Sequence, residues 1–328
     1  MLKKLSLSLL SAAFCLSAAP AQSPDKELIP YRAGSKWGYA DQDGKIIISP
    51  RYNAAKPFSE GLALVMSGGK YGYIDVSGRF AIKASYQSAG AFSEGLAPAK
   101  SKGRWGYIDK DGASAIPFEY EEALTVNDGM AAAKKDKRWG IIPLGTKQFI
   151  PTKYDEIYPF SEGLARVKSG GFYGYIDKQG AEALPPVYEA AFPFDGGFAA
   201  AQFRRTFGFI NRETKIFKAR EFFNIGPVSE GLAHAEKLAG DPGRCGYIDV
   251  NGAGRLPFNY FMCGSFSEGL APVLKTLSGK WGFIDKTGKE LIPFKYDEVA
   301  SFKGGIARVV LKGKVFYIDR RGKEYFKK

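Results

Sequence analysis

Apolar residues in this chain come in short bursts, each closed by a turn signal. In Arg104-Trp105-Gly106-Tyr107-Ile108-Asp109, aromatic residues alternate with small or aliphatic ones at period two, the pattern of a strand. An Asp then precedes a short polar stretch and a Gly, as in Asp285-Lys286-Thr287-Gly288. The Asp can hydrogen-bond the turn backbone while the Gly takes the positive φ of a three- or four-residue hairpin. A second strand follows at once, 289–293, and Pro293 ends it. After a loop carrying a Tyr, a Phe-Ser-Glu-Gly turn leads into a third short strand, such as 164–168. Each unit is therefore predicted to be a three-stranded antiparallel meander. Its central strand is apolar on both faces, with Trp and Tyr pointing one way, Ile and bare Gly backbone the other. A sheet of that kind must be covered on both sides, so neighbouring units supply the cover and one unit alone cannot fold.

The burst returns at a fixed interval. Trp37-Gly38, Tyr71-Gly72, Trp105-Gly106, Trp139-Gly140, Tyr173-Gly174 and Phe207-Gly208 each lie 34 residues after the last. Cys245-Gly246 and Trp281-Gly282 follow, displaced by insertions of four and two residues. Fifteen residues after the first aromatic stands a second one: Tyr52, Tyr86, Tyr120, Tyr154, Tyr188, Phe222, Tyr260 and Tyr296. A glycine never varies twenty-four residues on, from Gly61 and Gly95 to Gly269 and Gly305. Both insertions fall after this glycine and before the next aromatic-glycine pair, which marks that segment as a loop tip. A truncated ninth unit closes the array near Phe316-Tyr317-Ile318-Asp319. Units four and six depart most, with Pro143 and Asn211 where the others have Asp, and Thr146 and Thr214 where most have Gly.

These segments, with Phe92-Ser93-Glu94-Gly95-Leu96-Ala97, resemble the bacterial WG repeat, also called the KWG repeat, from about Leu28 to the C-terminus. The resemblance implies a repeat architecture and carries over no catalytic residues and no particular activity. Two all-β architectures satisfy the pattern, an open superhelical stack or a closed propeller-like ring. Propeller blades usually have four strands and rings about four to eight blades. Nine three-stranded units are thus expected to form the open stack, with the ring as the alternative.

The N-terminus reads as a secretory signal over residues 1–21: Lys3 and Lys4, an apolar stretch from Leu5 to about Leu16, then Ala19-Pro20-Ala21. A lipid anchor on Cys15 is disfavoured because Phe14, not a small residue, precedes it. Residues 22–328 form the repeat domain, and no later stretch has the ~18 uninterrupted apolar residues of a transmembrane helix. The formal net charge of +13 falls to +11 when the signal takes Lys3 and Lys4 with it. Such a surface favours anionic partners, and for an exported, periplasmic or secreted protein the anionic polymers of the envelope come first. Only Cys245 and Cys263 remain in the mature chain, and an oxidising compartment would allow one bridge between them.

Candidate chemistry is sparse. The single His234 sits in a variable column with Leu64, Pro98, Ala132, Arg166, Ala200, Pro272 and Arg308, and reads as an exposed bystander. One His and two Cys fit no usual zinc spacing. Rows of acids recur, Glu60, Glu94, Asp128, Glu162, Glu230 and Glu268 in one column, Asp41, Asp75, Asp109, Asp177, Asp249, Asp285 and Asp319 in another. Calcium would need several oxygens converging on one ion; beside a turn Gly or Ser, these acids are better placed to satisfy backbone N–H groups. The segment 282–289 has five residues between its glycines where a phosphate-binding loop has four, and is read as a hairpin. Neither a catalytic group, a metal site nor a cofactor is expected.

A basic residue precedes the aromatic in most units: Lys36, Lys70, Arg104, Arg138, Arg244, Lys280 and Lys314. Further cations cluster at Lys134, Lys135 and Lys137, at Arg204 and Arg205, and at Arg320, Arg321 and Lys323. The expectation is a non-catalytic binding or scaffolding protein of the cell envelope, engaging an anionic polymer or a protein. The alternatives are a surface module recognising glycans through exposed aromatics such as Tyr31, Phe203 and Phe261, or an enzyme with its site in the inserted loops 236–244 and 274–279.

Overall fold

The computed structural model describes residues 28–237 and 245–327. The segment 1–21, read above as a signal, lies outside these, as does most of the first inserted loop. The described chain folds into nine small antiparallel sheets set side by side in a closed ring, a nine-bladed β-propeller. Blade 1 spans residues 29–52 and has three strands. Blades 2 to 9 span 54–86, 88–120, 122–151, 156–188, 190–219, 224–260, 262–296 and 298–325, and each has four strands, a to d, in chain order. In blade 2 these are Ala54–Ser59, Leu62–Ser67, Lys70–Ile74 and Phe80–Tyr86.

The predicted meander is strands b, c and d. Strand a is the correction: it forms where the pattern suggests only a loop after the tyrosine. In six blades it is two residues long, as in Ser88–Ala89 and Glu298–Val299, too short to show an alternation. The glycine of strand c, present in blades 1 to 8 and replaced by Phe316 in blade 9, sits in six blades where the c–d register shifts. A Cβ on Gly106 would lie 2.8 Å from the carbonyl oxygens of Ile116 and Pro117, so any side chain there pushes strand d away.

Packing between blades rests on two more aromatics that recur in most units, a Tyr or Phe two residues after the strand-c aromatic and a Phe twenty-one residues after it. From strand c of one blade a buried tyrosine meets a phenylalanine of the next: Tyr73 and Phe92 have ring centroids 4.8 Å apart, Tyr175 and Phe194 4.9 Å, Tyr247 and Phe266 4.8 Å. The hydroxyl donates to a carbonyl on or beside the neighbour's strand a, Tyr73 to Gly90 at 2.7 Å and Tyr247 to Gly264 at 2.8 Å. Alanines or valines of the neighbour's strand b and the Ile of its strand c complete each cluster, as with Ala97, Ala99 and Ile108 under Tyr73. A buried aromatic of this kind contributes on the order of 2–3 kcal/mol before entropy costs.

The expected open stack gives way to the alternative, a ring, because blade 9 meets blade 1. Tyr317, Tyr325 and Ile306 pack with Ile29 and Ala40, and Trp37 meets Tyr317 edge-on at 5.9 Å. Arg32 bridges Phe326 in parallel, Lys327 N–H donates to Arg32 O at 2.8 Å, and Tyr325 Oη donates to Gln42 O at 3.0 Å. An open array would need polar caps over its end units. Tyr317 and Ile318 instead repeat the interior pattern, and closure buries them.

Candidate binding face

Antiparallel order places the a–b and c–d turns at one end of every blade and the b–c turns and d–a links at the other. At the first end the acids of both columns are engaged internally. Asp75 Oδ1 accepts from the N–H groups of Ser77 and Arg79 at 2.9 and 3.1 Å, and Asp177 and Asp285 cap their hairpins in the same way. A hydrogen bond from the Thr287 hydroxyl, then those from backbone N–H groups, hold the Asp285 carboxyl below the ordinary aspartate value. Asn211 does the same work in blade 6. Blade 4, with Pro143, closes its turn by Lys147 N–H to Pro143 O at 2.8 Å.

The other acidic column forms a belt between blades. Glu60 and Gly61 have φ of 53° and 84°, the two left-handed positions of a type I′ hairpin. From there Glu60 accepts the N–H of Gly95 in the next blade at 3.1 Å. Glu94 does so for Gly129, Asp128 for Gly163, Glu162 for Gly197, Glu230 for Gly269 and Glu268 for Gly305, at 2.7 to 3.2 Å. The serine before the acid donates to the next blade's carbonyl, Ser59 to Phe92 at 2.7 Å and Ser161 to Phe194 at 2.7 Å. Lys110, Arg212 and Lys286 pair with Glu60, Glu162 and Glu230. Burial pushes the Glu230 carboxyl up, but the bonds from Lys286 and Gly269 outweigh it and hold the group below the usual glutamate value. Blade 6 carries Asp195-Gly196-Gly197 instead, and burial followed by the charges of Glu162 and Glu230 raises the Asp195 carboxyl.

The opposite end presents the cations. Lys36, Lys70, Arg104, Arg138, Lys280 and Lys314 stand exposed where the b–c turn enters strand c; Arg244 lies outside the described residues. Arg104 is 3.9 Å from Glu121, Lys280 pairs with Asp297, and Lys314 lies 6.0 Å from the Phe326 ring. Among the described residues no carboxylate is within ion-pair distance of Lys36, Lys70 or Arg138. The turns themselves add Lys102, Lys137, Arg204, Arg205 and Lys312 at φ between 48° and 63°, positions that Gly holds in blades 2 and 5. Left-handed backbone costs a non-glycine residue roughly 1–2 kcal/mol, and here it sets a charge at the tip. The residue leading into strand a braces several of these turns from below: Glu121 accepts the N–H of Lys137, Glu189 that of Arg205, and Asp297 that of Lys312.

Other candidates stand differently from their sequence reading. His234 is not an exposed bystander. It is largely buried in strand b of blade 7, its ring lying where a Cβ on Gly226 would be, and its Nδ1 is buried without a hydrogen-bond partner. Burial holds its pKa below the ordinary 6.5, only partly opposed by the charge of Glu236. Pro98 and Pro272 fill the same column against Gly90 and Gly264; where the facing residue is larger the column holds a smaller one, Ala132 beside Leu124 and Ala200 beside Phe192. Nor are Tyr31, Phe203 and Phe261 exposed. All three are half-buried, Tyr31 against the closing cluster and Phe203 against Tyr188 and Phe217. Of the two insertions, 238–244 lies outside the described residues. The loop 274–279 holds a single ionisable side chain, Lys275, which pairs with Glu290 at 3.2 Å.

Cys245 and Cys263 are paired, with Cα atoms 6.2 Å apart. They belong to adjacent sheets, Cys245 to strand c of blade 7 and Cys263 to strand a of blade 8. The pair staples two blades at the interface where the usual Trp or Tyr is absent. Among the described residues no helix is long and apolar enough to cross a membrane.

No relative is found among curated proteins. Among solved structures, the crystal structure of a eukaryotic initiation factor is similar with a TM-score of 0.61, at 12% identity over 92% of this chain and 95% of that one. Dihydro-heme d1 dehydrogenase NirN in complex with DHE reaches 0.49 at 13% identity, over 92% and 72%. Kluyveromyces lactis Hsv2 reaches 0.41 at 8% identity, over 58% and 71%. The first likeness concerns the fold alone, and the other two are too distant to bear on this chain. The family model of the WG containing repeat matches residues 37–71, 71–105, 105–139, 147–171, 173–204, 246–276 and 281–314. These segments make up more than half of the sequence, and the protein belongs to that family.

Proposed function

We propose that this protein is an exported, non-catalytic binding module that holds an anionic polymer of the cell envelope against the b–c face of its ring. The observation that carries this reading is the set of exposed cations at the turn tips of that face, several on left-handed backbone where glycine would be less strained. Glu121, Glu189 and Asp297 beside them accept from backbone N–H groups of the same turns, which fixes those tips, and Asp136 is the one acid that shares a left-handed tip position with the cations among the described residues. Spaced once per blade, such charges can follow an extended polyanion through several phosphates or carboxylates. Export rests on the signal-like segment 1–21, and a net charge of about +11 after its removal favours the encounter.

The test compares the mature parent with a variant in which Lys36, Lys70, Arg104 and Arg138 are replaced together by Gln. Long-chain polyphosphate and polygalacturonate serve as probes over a series of salt concentrations. Parent affinity should fall steeply with salt, and the variant should bind at least about tenfold more weakly at low salt with a shallower salt dependence. A folded variant that binds as the parent does at every salt concentration contradicts the proposal.

A further inference from the structure

Between blades 6 and 7 the ring opens into a groove of about 970 Å³. Its origin is local: strand d of blade 6 is cut to Phe217–Ala219, three residues where blades 2, 3, 5, 7 and 8 have seven. The segment 220–222 then turns into the space left open. Among the described residues three cations line the groove, Arg205 from the b–c turn of blade 6, Arg220 from the shortened strand's end and Lys237 at the foot of the next blade, with Glu221 as the one acid. Phe222 supplies an apolar wall and stacks on Phe258 at 5.8 Å, the rings 7° from parallel.

Arg220 is the unusual member. Its guanidinium is half-buried and donates only to backbone carbonyls, Ala219 O at 2.9 Å and Val250 O at 3.0 Å. Its Nε is buried with no partner, and among the described residues no carboxylate lies within ion-pair distance. Arg51, at the neighbouring position of blade 1, reaches the next blade's turn at Gly78 O in a comparable way. A partly desolvated guanidinium without a counter-charge, beside two more cations, leaves positive potential uncompensated in a concave site.

We propose that this groove binds a phosphate ester, with Arg205, Arg220 and Lys237 around the phosphate and the organic part of the ligand against Phe222. A tetrahedral group with three or more acceptor oxygens can meet cations arriving from three elements, which a planar carboxylate does less well. The inference stands apart from the polymer reading, because none of the four cations tested there lines the groove.

Arg205 and Lys237 are exposed, so replacing both by Gln leaves the blade contact made by Arg220 in place. Phosphorus NMR titration of the mature protein with inorganic phosphate and with glycerol 3-phosphate should show saturable binding, tighter for the ester. The R205Q/K237Q variant should keep the parent's unfolding midpoint and lose at least about tenfold in affinity for both probes, the effect of removing charge-assisted contacts. The K45Q/K83Q variant, equal in charge change but at exposed positions away from the groove and from the b–c tips, should match the parent. Overturning results are a parent that shows no saturation, a parent that binds acetate as well as phosphate, or equal losses in the two double variants. Loss of polymer binding in the quadruple variant with phosphate binding intact separates the fate of the two readings.

Discussion

The two ends of the blades carry similar residue types and use them in opposite ways. At the a–b and c–d end, acids in left-handed turns reach across to the next blade's glycine N–H, and cations such as Lys110 and Lys286 fold back onto those acids. At the b–c end, cations occupy most of the non-glycine left-handed tips, Asp136 excepted, and Glu121 and Glu189 brace the turn beneath them. Charge at the first end ties blades together, whereas charge at the second faces outward. A count of charged residues per repeat cannot show this difference, since it does not say which end a residue sits at.

Both ends hang on one core, so the comparison holds only while neighbouring blades stay joined. The largest effect is expected at the 7–8 interface, where a disulfide stands in for the aromatic. Reduction, or C245S/C263S, should lower stability to urea by about 3 kcal/mol for a closure of this length. Thiol labelling of the unfolded, unreduced mature chain should find no free thiol; two per chain would refute the bridge.

The belt comes next. Replacing Glu60, Glu94 and Asp128 together by Ala removes three partly exposed carboxylate to N–H bonds and should cost about 2 kcal/mol in total. A cost near zero would mean that the belt is decoration and the two ends are alike.

A smaller effect distinguishes the interior from either end. The His234 pKa is held down in the folded chain, so the native state resists a proton that the unfolded chain accepts. Stability should be complete above pH 6.5, the ordinary value, and should fall as pH drops below it. His234→Pro, which copies Pro98 and Pro272, should flatten that dependence in denaturant titrations run on either side of the ordinary value. An unchanged pH profile in the variant would assign the effect elsewhere. The smallest change is at the tips, and its sign is the informative part. Lys137→Gly or Arg204→Gly should raise the unfolding midpoint slightly, by up to about 1 kcal/mol of relieved backbone strain, while weakening polyanion binding.

Much of this was legible in the sequence. The 34-residue period, the Asp-capped hairpins and the columns of Tyr, Phe and Gly are local or strictly periodic, and the strands follow from them. Strand a was not legible, because Ser88–Ala89 and its equivalents are two residues whose pairing is set by the neighbouring strand. Closure was misjudged on the habitual size of propellers, although Tyr317-Ile318 in the last unit kept the interior pattern where an open array would need a polar cap. The belt was read correctly as backbone capping, but its reach was hidden: Glu60 and Gly95 are 35 residues apart and meet only across a blade boundary. His234 failed for the opposite reason, since a variable column was taken as an exposed one, although the His234 ring lies over Gly226 as Pro98 lies over Gly90 and Pro272 over Gly264. The groove beside Arg220 depends on a strand that stops early, which no single residue of blade 6 announces.

The division between the two ends is decided by measuring two variants side by side. One carries E60A/E94A/D128A at the belt, the other K36Q/K70Q/R104Q/R138Q at the tips, and both are assayed for unfolding midpoint and for polyphosphate binding at low salt. The expected result is a crossed pattern. The belt variant unfolds earlier and binds at least as tightly as the parent, and the tip variant unfolds with the parent and binds at least about tenfold more weakly. Parallel losses of stability and binding in both variants, or no loss of binding in the tip variant, would contradict it.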